Sequence, residues 1–174
     1  MRKLMLLLAI VPFSINTYSQ KSIGGGLCYG TGNYAKNVGI SIKTAYQVSP
    51  EIVVSPDFSL FFPERTVYSW GNEEHRSFFT LNVNGHYLFL IEEKIEVYPL
   101  SGLNISFHNV KSEVFTGITN NFNTTNTFNT EVGLNIGAGG KYKFSDKLSA
   151  ISEIKYVISL YDQAVVMAGI TYSL

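Results

Sequence analysis

The chain has 174 residues, of which 14% are aromatic and 15% are charged, and it contains one cysteine. This length predicts a single domain, and a lone Cys28 excludes an internal disulfide. Charged residues are scarce compared with roughly 25% in soluble domains. Residues 20–174 contain 11 basic and 13 acidic residues, and the resulting net charge of −2 argues against a nucleic-acid partner.

Residues 1–19 have the pattern of a secretory signal peptide. Arg2 and Lys3 precede an apolar run over residues 4–13, which is too short to span a bilayer as a helix. Small residues then stand at the −3 and −1 positions of Thr17-Tyr18-Ser19. We therefore expect cleavage before Gln20, and residues 20–174 to form the folded domain.

That domain alternates between apolar and polar residues with a period of two, which indicates β-strands. The clearest case is 131–144, where Leu134 and Ile136 fall on one face and Asn135 falls on the other. Eight such segments follow one another along the chain: 23–30, 37–47, 52–62, 76–89, 95–107, 131–144, 147–158 and 164–174. Most are longer than the usual strands of soluble sheets and have the length of tilted membrane strands.

The links between these segments alternate in length. Tight turns at 48–51, 90–94 and 145–146 alternate with links that are mostly longer, at 31–36, 63–75, 108–130 and 159–163. Short turns on one rim and long loops on the other are typical of outer-membrane barrels. The Asn- and Thr-rich stretch 119–130 has low complexity, and we expect it to be mobile and exposed.

Alternation alone does not say whether the apolar face points to lipid or into a core, because a lipocalin-like soluble barrel alternates too. Aromatic residues at both ends of the apolar face favour lipid, since membrane barrels carry two interfacial girdles. The girdle expected near the short turns comprises Tyr46, Tyr87, Phe89, Tyr142, Phe144 and Tyr172. The girdle expected near the long loops comprises Tyr29, Phe62, Phe79, Phe107 and Tyr156.

The polar face carries a set of charged residues that would point into the barrel. They are Lys43, Asp57, Glu96, Lys141, Lys143, Glu153 and Lys155. Lys141 or Lys143 on the sixth predicted strand could pair with Glu153 on the seventh. In the small outer-membrane barrels that this pattern resembles, such a network plugs the lumen, which is the expectation here; the alternative is a gated, ion-conducting path through the same charges.

The pattern over Lys21–Leu174 resembles the small eight-stranded outer-membrane barrels of the OmpA/OmpX type in Gram-negative bacteria. The resemblance implies an all-β, antiparallel, up-and-down transmembrane barrel in the outer membrane. Its implied partners are outer-membrane lipid and, during insertion, the barrel assembly machinery. The chain ends in Leu174 where the family commonly ends in Phe, but Tyr172 keeps an aromatic residue two positions earlier.

We expect no catalytic, cofactor or metal site. His75, His86 and His108 lack ligand spacing and have no cysteine beside them. The predicted function is therefore non-enzymatic: a structural role, or recognition and adhesion through the extracellular loops. In these loops Tyr68 and Trp70 could contact a partner, although Trp70 could equally lie at the membrane interface. The alternatives are a narrow passive pore, a barrel enzyme that modifies lipid A, and a soluble lipocalin-like binder.

Overall fold

The computed structural model describes residues 21–32, 36–68, 72–115 and 122–174. The expected signal peptide and Trp70 lie outside these residues. The described residues contain no helix that could cross a membrane. They form nine strands: β1 Lys21–Gly30, β2 Val38–Gln47, β3 Ile52–Val67, β4 Glu73–Tyr87, β5 Phe89–Glu92, β6 Ile95–Phe115, β7 Phe122–Lys143, β8 Leu148–Ile158 and β9 Gln163–Ser173.

The nine strands make a closed eight-stranded antiparallel barrel. Consecutive strands pair, except β4 and β5, which do not pair with each other, and β9 returns to pair with β1 from Ser22↔Ser173 to Gly30↔Val165. The short β5 continues β4 after a break at Leu88, and both pair with β6 in one ladder. The eight-stranded barrel predicted from the sequence is confirmed.

The apolar side chains point outward and the polar ones point inward. Leu134 and Ile170 are 56% and 57% exposed, whereas Asn84 and Asn104 are buried. A soluble barrel would have the opposite arrangement. Between Phe79 and Phe89 the chain takes about ten steps of about 3.4 Å, which at a tilt of about 40° gives a height of roughly 26 Å. This matches the apolar band of a membrane barrel.

The two rims of the barrel differ. The turn rim carries both ends of the barrel, at Lys21 and Leu174, together with the short connections at 48–51, 93–94 and 144–147. At the opposite hairpin rim, β3, β4, β6 and β7 remain paired beyond the aromatic residues, up to Val67↔Glu73 and Phe115↔Phe122. We call this part, residues 63–67, 73–77, 108–115 and 122–131, the projecting sheet.

The projecting sheet corrects two expectations. Most residues of the links expected at 63–75 and 108–130 lie in strands, and β7 begins within the Asn- and Thr-rich stretch. Asn123 to Thr130 are exposed as expected, but they pair with β6 over their whole length. Thr favours strands, and β6 supplies backbone partners whatever the side chains are. Composition alone therefore gave the wrong structure for this stretch.

Candidate functional site: the barrel interior and the projecting sheet

Asp57 on β3 is the centre of the first group of interior polar residues. Its carboxylate accepts hydrogen bonds from the Nδ2 atoms of Asn82 at 2.7 Å and Asn84 at 2.8 Å. The Lys155 Nζ atom lies 3.2 Å from each carboxylate oxygen. Asn135 extends the group by donating to the Oδ1 atoms of both asparagines. All five residues are buried, so the charges are compensated where water is scarce.

A second buried ion pair joins Lys43 on β2 to Glu153 on β8. The Tyr98 hydroxyl donates a second hydrogen bond to the same Glu153 oxygen at 2.7 Å. The His86 ring stacks on Tyr98, with 4.5 Å between centroids and 8° between planes. Lys43 is also the register partner of Asp57. The two ion pairs therefore form one charge quartet, Lys43, Asp57, Glu153 and Lys155, that closes the middle of the lumen.

The expected pairing of Glu153 with Lys141 or Lys143 is wrong. Both lysines pair instead with Glu96, at 3.5 Å and 2.5 Å. The register places Glu153 opposite Gly139, so the two lysines lie nearer the turn rim than Glu153 does. Glu96 is the register partner of Lys141 on the neighbouring strand β6, so the two lysines meet this carboxylate as a direct cross-strand neighbour.

Apolar side chains also enter the lumen, which the sequence did not lead us to expect. The rings of Phe61 and Phe78 lie 5.0 Å apart, and Phe78 lies 4.5 Å from the His108 ring. The buried apolar cluster comprises Cys28, Phe61, Phe78, Ile151, Val165 and Met167. The available signal was the doublets Phe61-Phe62 and Phe78-Phe79, because adjacent aromatic residues in a strand must point to opposite faces.

A cavity of about 600 Å³ opens at the turn rim and extends inward to the charge quartet. The cavity is wide because several residues that line it have small side chains, among them Ser22, Ala45, Thr171 and Ser173. Lys43, His86 and Tyr98 line its inner part, and Lys21, Lys141 and Lys143 line it toward the rim, together with the carboxylates of Glu51 and Glu96. All seven predicted interior charges therefore belong either to the quartet or to this cavity.

The three histidines are held apart. His86 is inside the barrel near the cavity, His108 contacts Phe78, and the His75 Nε2 atom lies 3.5 Å from Glu73 on the projecting sheet. Within the described residues, no group of three or more His, Cys, Asp or Glu side chains could hold a metal ion.

Basic residues of the projecting sheet pair with glutamates. Arg65 contacts Glu73 at 2.5 Å and Lys111 contacts Glu113 at 2.7 Å, while Arg76 pairs with Glu74. The hydrogen bond from Arg65 lowers the pKa of the Glu73 carboxyl, and the same bond raises the pKa of Arg65. Tyr68 is 49% exposed, with its hydroxyl 3.4 Å from Glu74.

Solved structures with the same architecture are small barrels of bacterial outer membranes. One is Ail, the attachment invasion locus protein of Yersinia pestis, whose structure was solved in complex with the heparin analogue sucrose octasulfate. Its sequence is 14% identical and its TM-score is 0.62, and the match covers 91% of this chain and 100% of that chain. Neisserial surface protein A is 13% identical with a TM-score of 0.58, over 90% and 97%. A major outer membrane protein from Thermus thermophilus is 12% identical with a TM-score of 0.68, over 91% and 100%.

The chain has the fold of a small outer-membrane β-barrel. No protein-family model and no curated protein matches its sequence. The evidence for the fold is therefore the closed barrel, its outward apolar face and these structural neighbours.

The expected aromatic girdles of this outer-membrane barrel lie on its outward strand faces. Tyr87, Phe89, Tyr142, Phe144 and Tyr172 are exposed toward the turn rim, and Tyr46 is half-buried there. Tyr29, Phe62 and Tyr156 are exposed toward the hairpin rim, where Phe79 and Phe107 stack at 4.6 Å. Partly exposed aromatic rings at these heights suit the two interfaces of a bilayer.

Proposed function

We propose that this protein is a non-enzymatic outer-membrane barrel that acts in recognition at the cell surface through the projecting sheet. In outer-membrane barrels the short turns face the periplasm, which places the hairpin rim outside. The observation that carries the proposal is the continuous pairing of β3, β4, β6 and β7 beyond the aromatic girdle. A preformed sheet binds at a lower entropic cost than mobile loops.

One edge of the projecting sheet is open to a partner. No described strand pairs with β7 on the side away from β6 before Leu134↔Ile158. Glu131 accepts a hydrogen bond from the Tyr161 backbone, so the free edge among the described residues is 122–130. Over 122–130 this edge has no charged residue and no proline. Charged side chains and proline are among the devices that protect sheet edges in natural proteins. An extended segment of a partner could add to this edge as a further strand.

The opposite edge, on β3, is protected. Its pairing with β2 ends at Phe61, and Pro63, Glu64 and Arg65 follow. Proline has no N–H to donate, and charged side chains disfavour strand addition. The Asn37 side chain also donates to the Phe62 carbonyl at 2.9 Å. We therefore assign recognition to the β7 side of the sheet.

A sulfated polyanion fits this sheet poorly. Ail was crystallised with a heparin analogue, but here Arg65, Arg76 and Lys111 are each paired with a glutamate. A ligand with many sulfates would have to displace these carboxylates. The proposed partner is therefore a protein that offers backbone groups, rather than a sulfated glycan.

The experiment is adhesion of cells that display the barrel to immobilised extracellular-matrix proteins, with sulfated glycans as a second surface. We expect binding to a protein surface, and a loss of at least fivefold when charges are placed on the free edge by Thr124→Lys with Asn126→Lys. Ser112→Lys, on the inner strand β6, is the matched control and should retain binding. Equal adhesion of cells with and without the barrel would overturn the proposal.

A narrow pore is the second candidate, and the cavity favours it. About 600 Å³ at the turn rim is already open, and the charge quartet closes the passage above it. Conductance across planar bilayers separates the two candidates, because a recognition protein needs no current.

A further inference from the structure

We propose that the turn-rim cavity is a binding site for a phosphate group, held by Lys141, Lys143 and Lys21 with His86 at its inner end. This inference is independent of the recognition function, because it concerns the opposite rim of the barrel. The proposed ligand is an anion that carries a phosphate, either free phosphate from the periplasm or the headgroup of a phospholipid at the inner surface of the membrane.

The first argument is the charge of the cavity. Lys21, Lys141 and Lys143 line it together with the two carboxylates of Glu51 and Glu96, and the fourth lysine, Lys43, is already paired with Glu153. Lys141 and Lys143 share the single carboxylate of Glu96, at 3.5 Å and 2.5 Å. Within the described part of the chain, Lys21 makes no ion pair. The group toward the rim therefore holds three positive charges beside one carboxylate that contacts them, an excess that a phosphate would compensate.

The second argument is His86. This residue is 5% exposed and lines the cavity, and its Nε2 atom finds no hydrogen-bond partner among the described residues. Its ring is fixed by stacking on Tyr98, whose hydroxyl donates to Glu153. A buried ring nitrogen without a partner is uncommon in a folded protein. The nitrogen itself is covered, so the ring marks the inner limit of the site, and an anion could bond to Nε2 only after the ring turns.

The third argument is the shape of the cavity. It opens at the turn rim, and its volume of about 600 Å³ is in the range of small-molecule sites. All eight barrel strands contribute to its wall, so the lysines are held by a rigid frame rather than by loops. A phosphate group is much smaller than the cavity, which leaves room for the organic group attached to it.

The test uses the mature barrel, folded in a maltoside detergent that contains no phosphate. In the first arm, inorganic phosphate is titrated and binding is followed by ³¹P NMR. In the second arm, the barrel is placed in nanodiscs of phosphatidylcholine with or without phosphatidylglycerol, and native mass spectrometry measures the lipid it retains. Saturation in the first arm identifies free phosphate as sufficient. Retention of lipid alone identifies the headgroup as the source.

The variants make the test specific. Lys141→Gln with Lys143→Gln should weaken binding at least tenfold. Lys147→Gln is the matched control, because Lys147 is also near the turn rim but lies over the outward Tyr172 ring, 5.9 Å from its centroid. If the double variant fails to fold, Lys21→Gln replaces it. Absence of binding in both arms, or the same loss in Lys147→Gln, overturns the proposal.

Discussion

Lys43 and Glu153 lie 110 positions apart in the chain and form an ion pair across the barrel lumen. Their side chains are 5% and 4% exposed. The strands that carry them, β2 and β8, are not neighbours, since β1 and β9 lie between them. The pair therefore crosses the lumen between strands that are three places apart in the ring of eight.

Removing one partner of this pair should be costly. Glu153→Gln leaves the Lys43 ammonium buried without a counter-charge, and we expect a loss of about 3–5 kcal/mol in the free energy of unfolding. The double variant Lys43→Met with Glu153→Leu should recover most of it, because no charge is then stranded. Urea unfolding in lipid vesicles, read from the gel shift between boiled and unboiled samples, measures both. Unchanged stability of Glu153→Gln would contradict the charge quartet.

The closed lumen predicts low conductance. We expect the native barrel to give no steady current in a planar bilayer, because buried side chains fill its middle. Glu153→Ala together with Lys155→Ala removes the long side chains that β8 contributes to the quartet and should produce stepwise openings. Ser152→Ala, on the outward face of the same strand, is the control. Large currents from the native barrel would favour the pore over the recognition protein.

Substitution by alanine should destabilise the barrel at one of two adjacent glycines and have little effect at the other. A Cβ atom on Gly139 would lie 2.5 Å from the Tyr98 ring and 2.8 Å from Glu153, whereas on Gly140 its nearest contact would be 3.7 Å away. Gly139→Ala must displace Tyr98 from Glu153, so we expect a loss of about 1–3 kcal/mol. Gly140→Ala should stay within about 0.5 kcal/mol. The same unfolding experiment compares them, and equal effects would refute the packing described for Tyr98.

The projecting sheet should respond to acid at Glu73. The bond from Arg65 lowers the pKa of this carboxyl below its ordinary value of about 4.3. A lowered pKa means that the ion pair stabilises the sheet above the ordinary value, and that this stability disappears as the pH falls through the lowered pKa. Arg65→Gln should raise the pKa of Glu73 in a carbon NMR titration. Lys111→Gln is the control, and a Glu73 pKa that Arg65→Gln leaves in place would exclude the pair.

Export itself is open to a direct check. Cleavage before Gln20 predicts that the protein from an outer-membrane fraction begins at residue 20. Intact-mass measurement gives the first residue, and Ser19→Pro should block processing by distorting the cleavage site. A mature protein that keeps residues 1–19 would refute the signal peptide.

Most of the barrel could be predicted from local sequence. The period of two in segments such as 131–144 indicates a strand with one apolar face, and tight turns such as Ser145-Asp146 fix which strands are neighbours. The aromatic residues at the ends of these segments indicate which face meets lipid. These are properties of consecutive residues, so the sequence determined the strand number and the outward face, and a sheet that faces lipid must close on itself.

The tertiary structure alone decided what lies inside the barrel and above it. Lys43 could find Glu153 only after the registers of all eight strands had set their heights across the lumen, and no short-range pattern encodes that height. In the same way, the polar stretch 122–130 became a strand because β6 runs beside it and supplies hydrogen-bond partners. Local alternation determined the wall of this protein, whereas contacts between distant residues decided its interior and its exposed sheet.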